Sequence, residues 1–140
     1  MVLQGIRGSS ANKKLVLYAL NNIPNLLIDC SNSANPHAFS SDVDDSKFFG
    51  VFVVQAESLY RFRDSIRQIP KIADSLNLKR VVITQFTYLF DYDDEAENLD
   101  IFQYCWHLIR RAGNTYEVLV GVDSEQEELA MKYCDNIKEF

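Results

Sequence analysis

The sequence predicts one α/β domain built on a mainly parallel sheet with helices on both faces. Two observations carry this: short β-rich apolar runs alternate with stretches of helical periodicity from end to end, and strands separated by helices require right-handed crossovers, which make neighbouring strands parallel. A third agrees, since a run such as Val51, Phe52, Val53, Val54 is apolar on both faces, as strands covered on two sides are. At 140 residues the chain is long enough to bury a single core, so residues 1–140 are read as one domain.

Five strands and four clear helices are expected. Val2 to Ile6 reads as the first strand and Lys13 to Asn22 as the first helix, ended by Asn22 and Pro24. Asn25 to Asp29 is the second strand. Asn32 to Lys47, rich in Ser, Asp and Asn, reads as loop with one short helix near Phe39. Phe49 to Gln55 is the third strand. The helix after it carries Leu59, Phe62, Ile66, Ile69, Ile72 and Leu76 in one stripe, and Pro70 predicts either a kink or a second helix starting there. Arg80 to Phe86 is the fourth strand. Asp91 to Glu97 leads into a helix with Phe102, Cys105, Trp106 and Ile109 inside, stopped by Gly113 and Asn114. Tyr116 to Val122 is the fifth strand, and Ser124 with Glu127 reads as a capping box opening a last helix that buries Leu129, Tyr133 and Ile137.

Hydrophobic residues make up 47% and charged residues 24%, ordinary proportions for a soluble globular protein, and no stretch is apolar enough to cross a membrane. The N-terminal residues lack a signal-peptide pattern, so a cytoplasmic location is expected. Three cysteines, Cys30, Cys105 and Cys134, are odd in number and widely spaced, which reads as reduced core thiols rather than a disulfide framework or zinc ribbon. The formal net charge of -6 opposes attraction to phosphate backbones, so direct nucleic-acid binding is not expected.

In parallel sheets of this kind ligands sit beyond the carboxyl ends of the strands, which directs attention to the loops after Ile6, Asp29, Gln55, Phe86 and Val122. The run Leu27-Ile28-Asp29-Cys30-Ser31-Asn32-Ser33-Ala34-Asn35-Pro36 resembles the second-strand motif of RecA-type recombinases and archaeal RecA-like ATPases, where an Ile-Asp dipeptide enters a short loop closed by Pro. Val53-Val54-Gln55-Ala56 with the helix from Glu57, Val81-Val82-Ile83-Thr84 at the Walker B strand, and Val118-Leu119-Val120-Gly121 at the sensor strand resemble the same family in order and spacing. Each motif alone also suits other doubly wound folds, the flavodoxin type among them. The resemblance implies the strand order 3-2-4-5-1, with the first strand on an edge, because the strands that extend the recombinase sheet have no expected counterpart here.

It also permits an audit of catalytic parts. A P-loop requires Gly-x-x-x-x-Gly-Lys-Ser/Thr, because backbone amides wrap the phosphates, lysine reaches the outer phosphate and the hydroxyl holds magnesium. The nearest match, Gly8-Ser9-Ser10-Ala11-Asn12-Lys13-Lys14-Leu15, keeps Lys14 but has Lys13 for the second glycine and Leu15 for the hydroxyl. Thr84, or Gln85 one residue on, stands at the Walker B aspartate, and Ser31 at the catalytic glutamate. The resemblance therefore implies a relative that does not hydrolyse ATP and acts through protein contacts, as an accessory subunit or diverged paralogue in an ATPase or recombination assembly. The alternative is a binder of nucleotide or phosphate ligands through Gly8, Ser9, Ser10, Asn12, Lys13 and Lys14, a helix start that attracts anions. No other cofactor and no metal is implied. The exposed first strand further predicts a protein partner or a homodimer pairing Val2 to Ile6.

Other charged groups read as surface. Asp42, Asp44 and Asp45, and Asp91, Asp93, Asp94, Glu95 and Glu97, form acidic runs without a calcium-loop pattern, with Asp94, Glu95 and Glu97 placed where a helix N-terminus favours anions. Cys105 and His107 are two apart on a helix and face different ways. His37 lies near the carboxyl edge with no nucleophile assignable to it. Arg61, Arg63, Arg67 and Lys71 fall on the outer face of their helix, to meet an acidic partner or to keep the helix wet.

Overall fold

The computed structural model describes residues 2–34, 49–90 and 95–139. The expected short helix near Phe39, His37 and the runs Asp42–Asp45 and Asp91–Asp94 lie outside these residues. In chain order the elements are β1 (Leu3–Arg7), α1 (Ala11–Asn21), β2 (Asn25–Asp29), β3 (Val51–Gln55), α2 (Leu59–Arg67), α3 (Ile69–Ser75), β4 (Arg80–Ile83), α4 (Glu95–Gly113), β5 (Glu117–Val122), α5 (Glu127–Tyr133) and β6 (Asn136–Glu139), with 3-10 turns at Thr87–Phe90 and Ser124–Gln126. All strand pairs are parallel, and the sheet order is β3-β2-β4-β5-β1-β6. The fold is a three-layer α/β sheet, and its first five strands take the expected order 3-2-4-5-1.

Alternation along the strands divides the core in two. Leu26, Ile28, Val81, Ile83, Val118 and Val120 face α2, α3, α4 and α5, whereas Leu27, Val82 and Leu119 face α1. On the first side Phe62 lies 4.4 Å from Phe86 between ring centroids, and Trp106 lies 5.7 Å from Phe86 and stacks on Tyr133 at 6.2 Å. On the second, α1 buries Ala11, Leu15, Val16, Ala19 and Leu20, which repeat the i, i+4, i+5 spacing of one helical stripe, from Ala11 and again from Leu15. Pro70 divides the long periodic stripe as expected: α2 ends at Arg67, and α3 begins with Pro70 in its first turn, where the missing amide costs no helical bond.

The sheet has six strands rather than five, and β1 is not an edge. The chain leaves α5 at Cys134, whose backbone is extended, so Ile137 lies in β6 rather than on the last helix. Asp135 directs this departure. Its amide donates to the Leu3 carbonyl at 2.8 Å, its carboxylate accepts from the Leu3 amide at 2.8 Å, and Arg110 donates to it at 3.1 Å. The Leu3 amide and Arg110 hold its carboxyl below the usual aspartate value. β6 then pairs with β1 from Gln4↔Asn136 to Arg7↔Glu139. Gly5 admits it, since a Cβ there would come within 3.1 Å of Val122, 3.2 Å of Ile137 and 3.4 Å of Cys134 side-chain atoms. The free edge from which a β1 homodimer was expected is thus occupied within the chain.

Two smaller expectations also change. Asp123, not Ser124, caps the turn into α5, its Oδ1 accepting from the Glu125 amide at 3.1 Å, and Glu127 pairs with Arg7 instead of closing a capping box. β3, apolar on both faces, ends the sheet at one edge and leaves Phe52 46% and Val53 38% exposed.

Candidate functional site

The carboxyl ends of β1, β2, β4 and β5 meet at one end of the sheet, where two hydrogen-bonded groups shape the surface. Asp29, fully buried at the end of β2, is the centre of the first. Its Oδ1 accepts from the Ser31 and Ser33 amides at 3.2 Å, from the Ser31 hydroxyl at 3.3 Å and from the Thr84 hydroxyl at 3.2 Å. Its Oδ2 accepts from the Ala34 amide at 3.0 Å and from Gln55 Nε2 at 3.2 Å. Donors converging on both oxygens give a buried polar group the partners it would otherwise find in water. The Ile-Asp motif is therefore the organiser of its own loop, with Asn32 at a φ of 56° where the chain turns back.

Thr84, which the resemblance set against the Walker B aspartate, belongs to the same group: it is fully buried, donates to Asp29 and accepts from the Cys30 amide at 2.8 Å. Ser31, which the resemblance set against the catalytic glutamate, bonds Asp29 and Ser33. Gln85 forms the second group, donating from its amide to Asn12 Oδ1 at 2.8 Å and from Nε2 to the Val122 carbonyl at 3.0 Å. Gly121 makes room for this crossing, since a Cβ there would fall 2.6 Å from the Gln85 amide nitrogen.

The residues singled out for anion binding are split by the structure. Only Gly8, Ser9 and Ser10 connect β1 to α1, and Gly8 turns with a φ of 121°. The helix begins at Ala11, two residues before the expected start, so Asn12, Lys13 and Lys14 stand in its first turn. The Ala11 amide donates to the Gly8 carbonyl at 3.2 Å and the Lys14 amide to the Ser10 carbonyl at 3.0 Å. Gly8 and Ser9 line a cleft of ≈ 550 Å³ with Gln85 and Val122, where one guanidinium, Arg7, faces three carboxylates, Asp123, Glu127 and Glu139. Arg7 pairs with Glu127 and, at 3.3 Å, with Glu139. Lys14 instead lines a separate groove of ≈ 460 Å³ beside α1, with Ile6, Tyr18 and Lys138. Asn12 is turned inward to Gln85.

A third concavity lies at the opposite, amino end of the sheet. It measures ≈ 520 Å³ and runs between α2 and α4, with Arg67 and Arg111 on its walls and Tyr104, Asn114 and Thr115 beside them. Arg67 was placed on an outer helix face by its sequence spacing; Arg111, Tyr104 and Thr115 were not singled out, because nothing local in sequence ties them to α2.

The cysteines match the expected reduced core thiols in being free, with Cys30 and Cys105 buried and Cys134 partly so. Burial raises Cys30 well above the ordinary thiol value and pushes Cys105 and Cys134 up to about 12. At pH 8 such a thiol is thiolate in roughly one molecule in ten thousand. The folded protein should therefore leave Cys105 unlabelled by iodoacetamide over minutes at pH 8, while the urea-unfolded chain labels fully. Mass spectrometry of the peptides checks this, and equal labelling in both states would contradict the packing around α4. His107 is exposed on the far side of the helix from Cys105, as the spacing predicted. Among the described residues no group of three or more His, Cys, Asp or Glu side chains could hold a metal ion, and no helix is long and apolar enough to cross a membrane.

No protein-family model matches the chain, and no curated protein matches it significantly.

Proposed function

We propose that this chain is a nonenzymatic RecA-like module that acts through protein contacts, as an accessory subunit or diverged paralogue within an ATPase or recombination assembly. One observation supports the nonenzymatic part most directly: the groups at the positions of the metal carboxylate and the base, Thr84 and Ser31, are hydrogen-bonded into the Asp29 centre. Phosphoryl transfer depends on positioned charge and metal, and neither residue carries a charge. The cleft at Gly8 and Ser9 is rich in carboxylates, which repel a triphosphate, and Leu15, at the position of the magnesium-binding hydroxyl, is packed in the core under α1.

The reading is tested by titration calorimetry with ATP, with and without magnesium, alongside phosphate release by the intact protein and by Lys14→Ala. No saturable heat up to millimolar ATP is expected, and equal, background release from both proteins. Leu15→Thr should leave release at background, because the two other positions stay uncharged. Magnesium-dependent turnover abolished by Lys14→Ala would overturn the proposal. Saturable, magnesium-independent binding weakened by Lys13→Ala or Lys14→Ala would favour the phosphate-ligand reading instead.

A further inference from the structure

We infer that the groove between α2 and α4 is a docking site for a short acidic segment of a partner protein, one that presents two carboxylates around an apolar side chain. This deepens the reading of the chain as a protein-contact module and rests on it. The groove brings together residues far apart in sequence: Arg67 from α2 and Arg111 from the last turn of α4. The Arg111 guanidinium has no ion pair or hydrogen bond among the described residues, and among them Arg67 pairs only with Asp64, at 3.8 Å and beyond hydrogen-bond length. Arg67 donates instead to the Tyr104 hydroxyl, from Nη2 at 3.0 Å and from Nε at 3.3 Å. That hydroxyl, used as an acceptor, keeps its own proton to donate. Thr115 adds a hydroxyl and Asn114 an amide, while Ile66 and Leu108 form an apolar floor.

Charge complementarity selects the occupant. The chain as a whole is acidic, at -6, yet none of the residues lining this groove is Asp or Glu. Two guanidiniums lining one groove suit two carboxylates, since guanidinium binds planar oxyanions by paired donors. Exposed Tyr and Arg over an apolar floor are also the side chains that dominate the centres of protein interfaces. A long polyanion fits less well, because Asp64, Asp74 and Glu97 occur on the elements that flank the groove, Asp74 accepting from Tyr116 at 2.6 Å and Glu97 from Tyr60. A nucleic-acid backbone following this face would meet those carboxylates.

The probe is a blocked peptide, Asp-Leu-Asp-Phe-Asp, titrated into the isotope-labelled 140-residue protein and followed by amide chemical shifts. Its Asn-for-Asp counterpart, inorganic phosphate and a short DNA duplex are run beside it. Shifts are expected at Tyr104, Arg111, Asn114 and Thr115, weakening as salt is raised. Arg67→Glu and Arg111→Glu should each weaken binding by about tenfold or more, and the milder Arg67→Gln and Arg111→Gln should weaken it in the same order with unchanged circular dichroism. Equal binding of the Asn peptide, unchanged affinity in the Gln variants, no shifts in the groove, or tighter binding there of phosphate or of duplex DNA would each overturn the inference. ATP binding at Gly8 to Lys14 would overturn the protein-contact reading without moving these resonances. Peptide failure in a protein that also ignores ATP removes the groove alone.

Discussion

Replacing Trp106 by alanine is expected to destabilise the protein by about 3–5 kcal/mol, a large share of the roughly 5–15 kcal/mol that holds a domain together. The indole is fully buried where α4 meets the sheet, against Phe86 and Tyr133. Deleting it opens a cavity at the meeting of α4, α5 and the turn after β4, three elements that cannot all collapse into the gap. The chemistry of the loss can be separated from its volume. Trp106 Nε1 is buried without a hydrogen-bond partner among the described residues, so Trp106→Phe keeps most of the packing and removes an unsatisfied donor. That variant should cost no more than about 1.5 kcal/mol. Urea unfolding followed by circular dichroism decides between them, because Trp106 is the only tryptophan and its fluorescence leaves with it. Equal losses for Phe and Ala would mean that the indole nitrogen is bonded in solution.

Ending the chain after Asp135 is expected to turn a well-behaved protein into one that associates with itself. β6 covers the outer edge of β1, and without it the amides and carbonyls of Gln4 to Arg7 are left open along a strand whose only charge is Arg7. An open edge of this kind templates pairing with another chain. The weight-average mass from light scattering should rise with concentration for the shortened protein and exceed that of the intact chain at the same concentration. A lysine at the half-buried Gln4 should reduce the effect by placing a charge on the open edge. Leu3 cannot serve for this purpose, since it is fully buried and a charge there reports on folding. A shortened protein that keeps its circular dichroism and the mass of the intact chain would show that β6 does not protect β1.

These two experiments bear on what could be read in advance. The parallel sheet, the break at Pro70, the inner face of α4 and the opposite orientations of Cys105 and His107 follow from local periodicity and from the rule that parallel strands need crossovers, whereas the order of the first five strands was expected only from the resemblance. Asp29 was legible as the end of a strand, and Thr84, Ser31 and Leu15 as lacking the carboxylates and the hydroxyl that the resemblance would require there, because residue identity alone says which polar group a side chain carries.

β6 was not legible, for a physical reason. Leu129, Tyr133 and Ile137 recur every four residues, a pattern that an α-helix satisfies and that a helix followed by a strand satisfies equally. What chose between them was the hydrogen-bonding edge of β1, more than a hundred residues earlier, and Asp135, which takes the Leu3 amide only when that edge is present. The same holds for the three concavities. Sequence spacing put Arg67 on an outer face and gathered Gly8 to Lys14 into one motif, but a three-residue turn divided the motif between a carboxylate-rich cleft and the groove beside α1. Arg111 shares a groove with Arg67 only because α2 and α4 pack side by side on the sheet. Charge, length and periodicity are properties of neighbouring residues and are written in the sequence; which edges are covered and which side chains share a groove depend on pairings between distant segments, and those the tertiary structure alone decides.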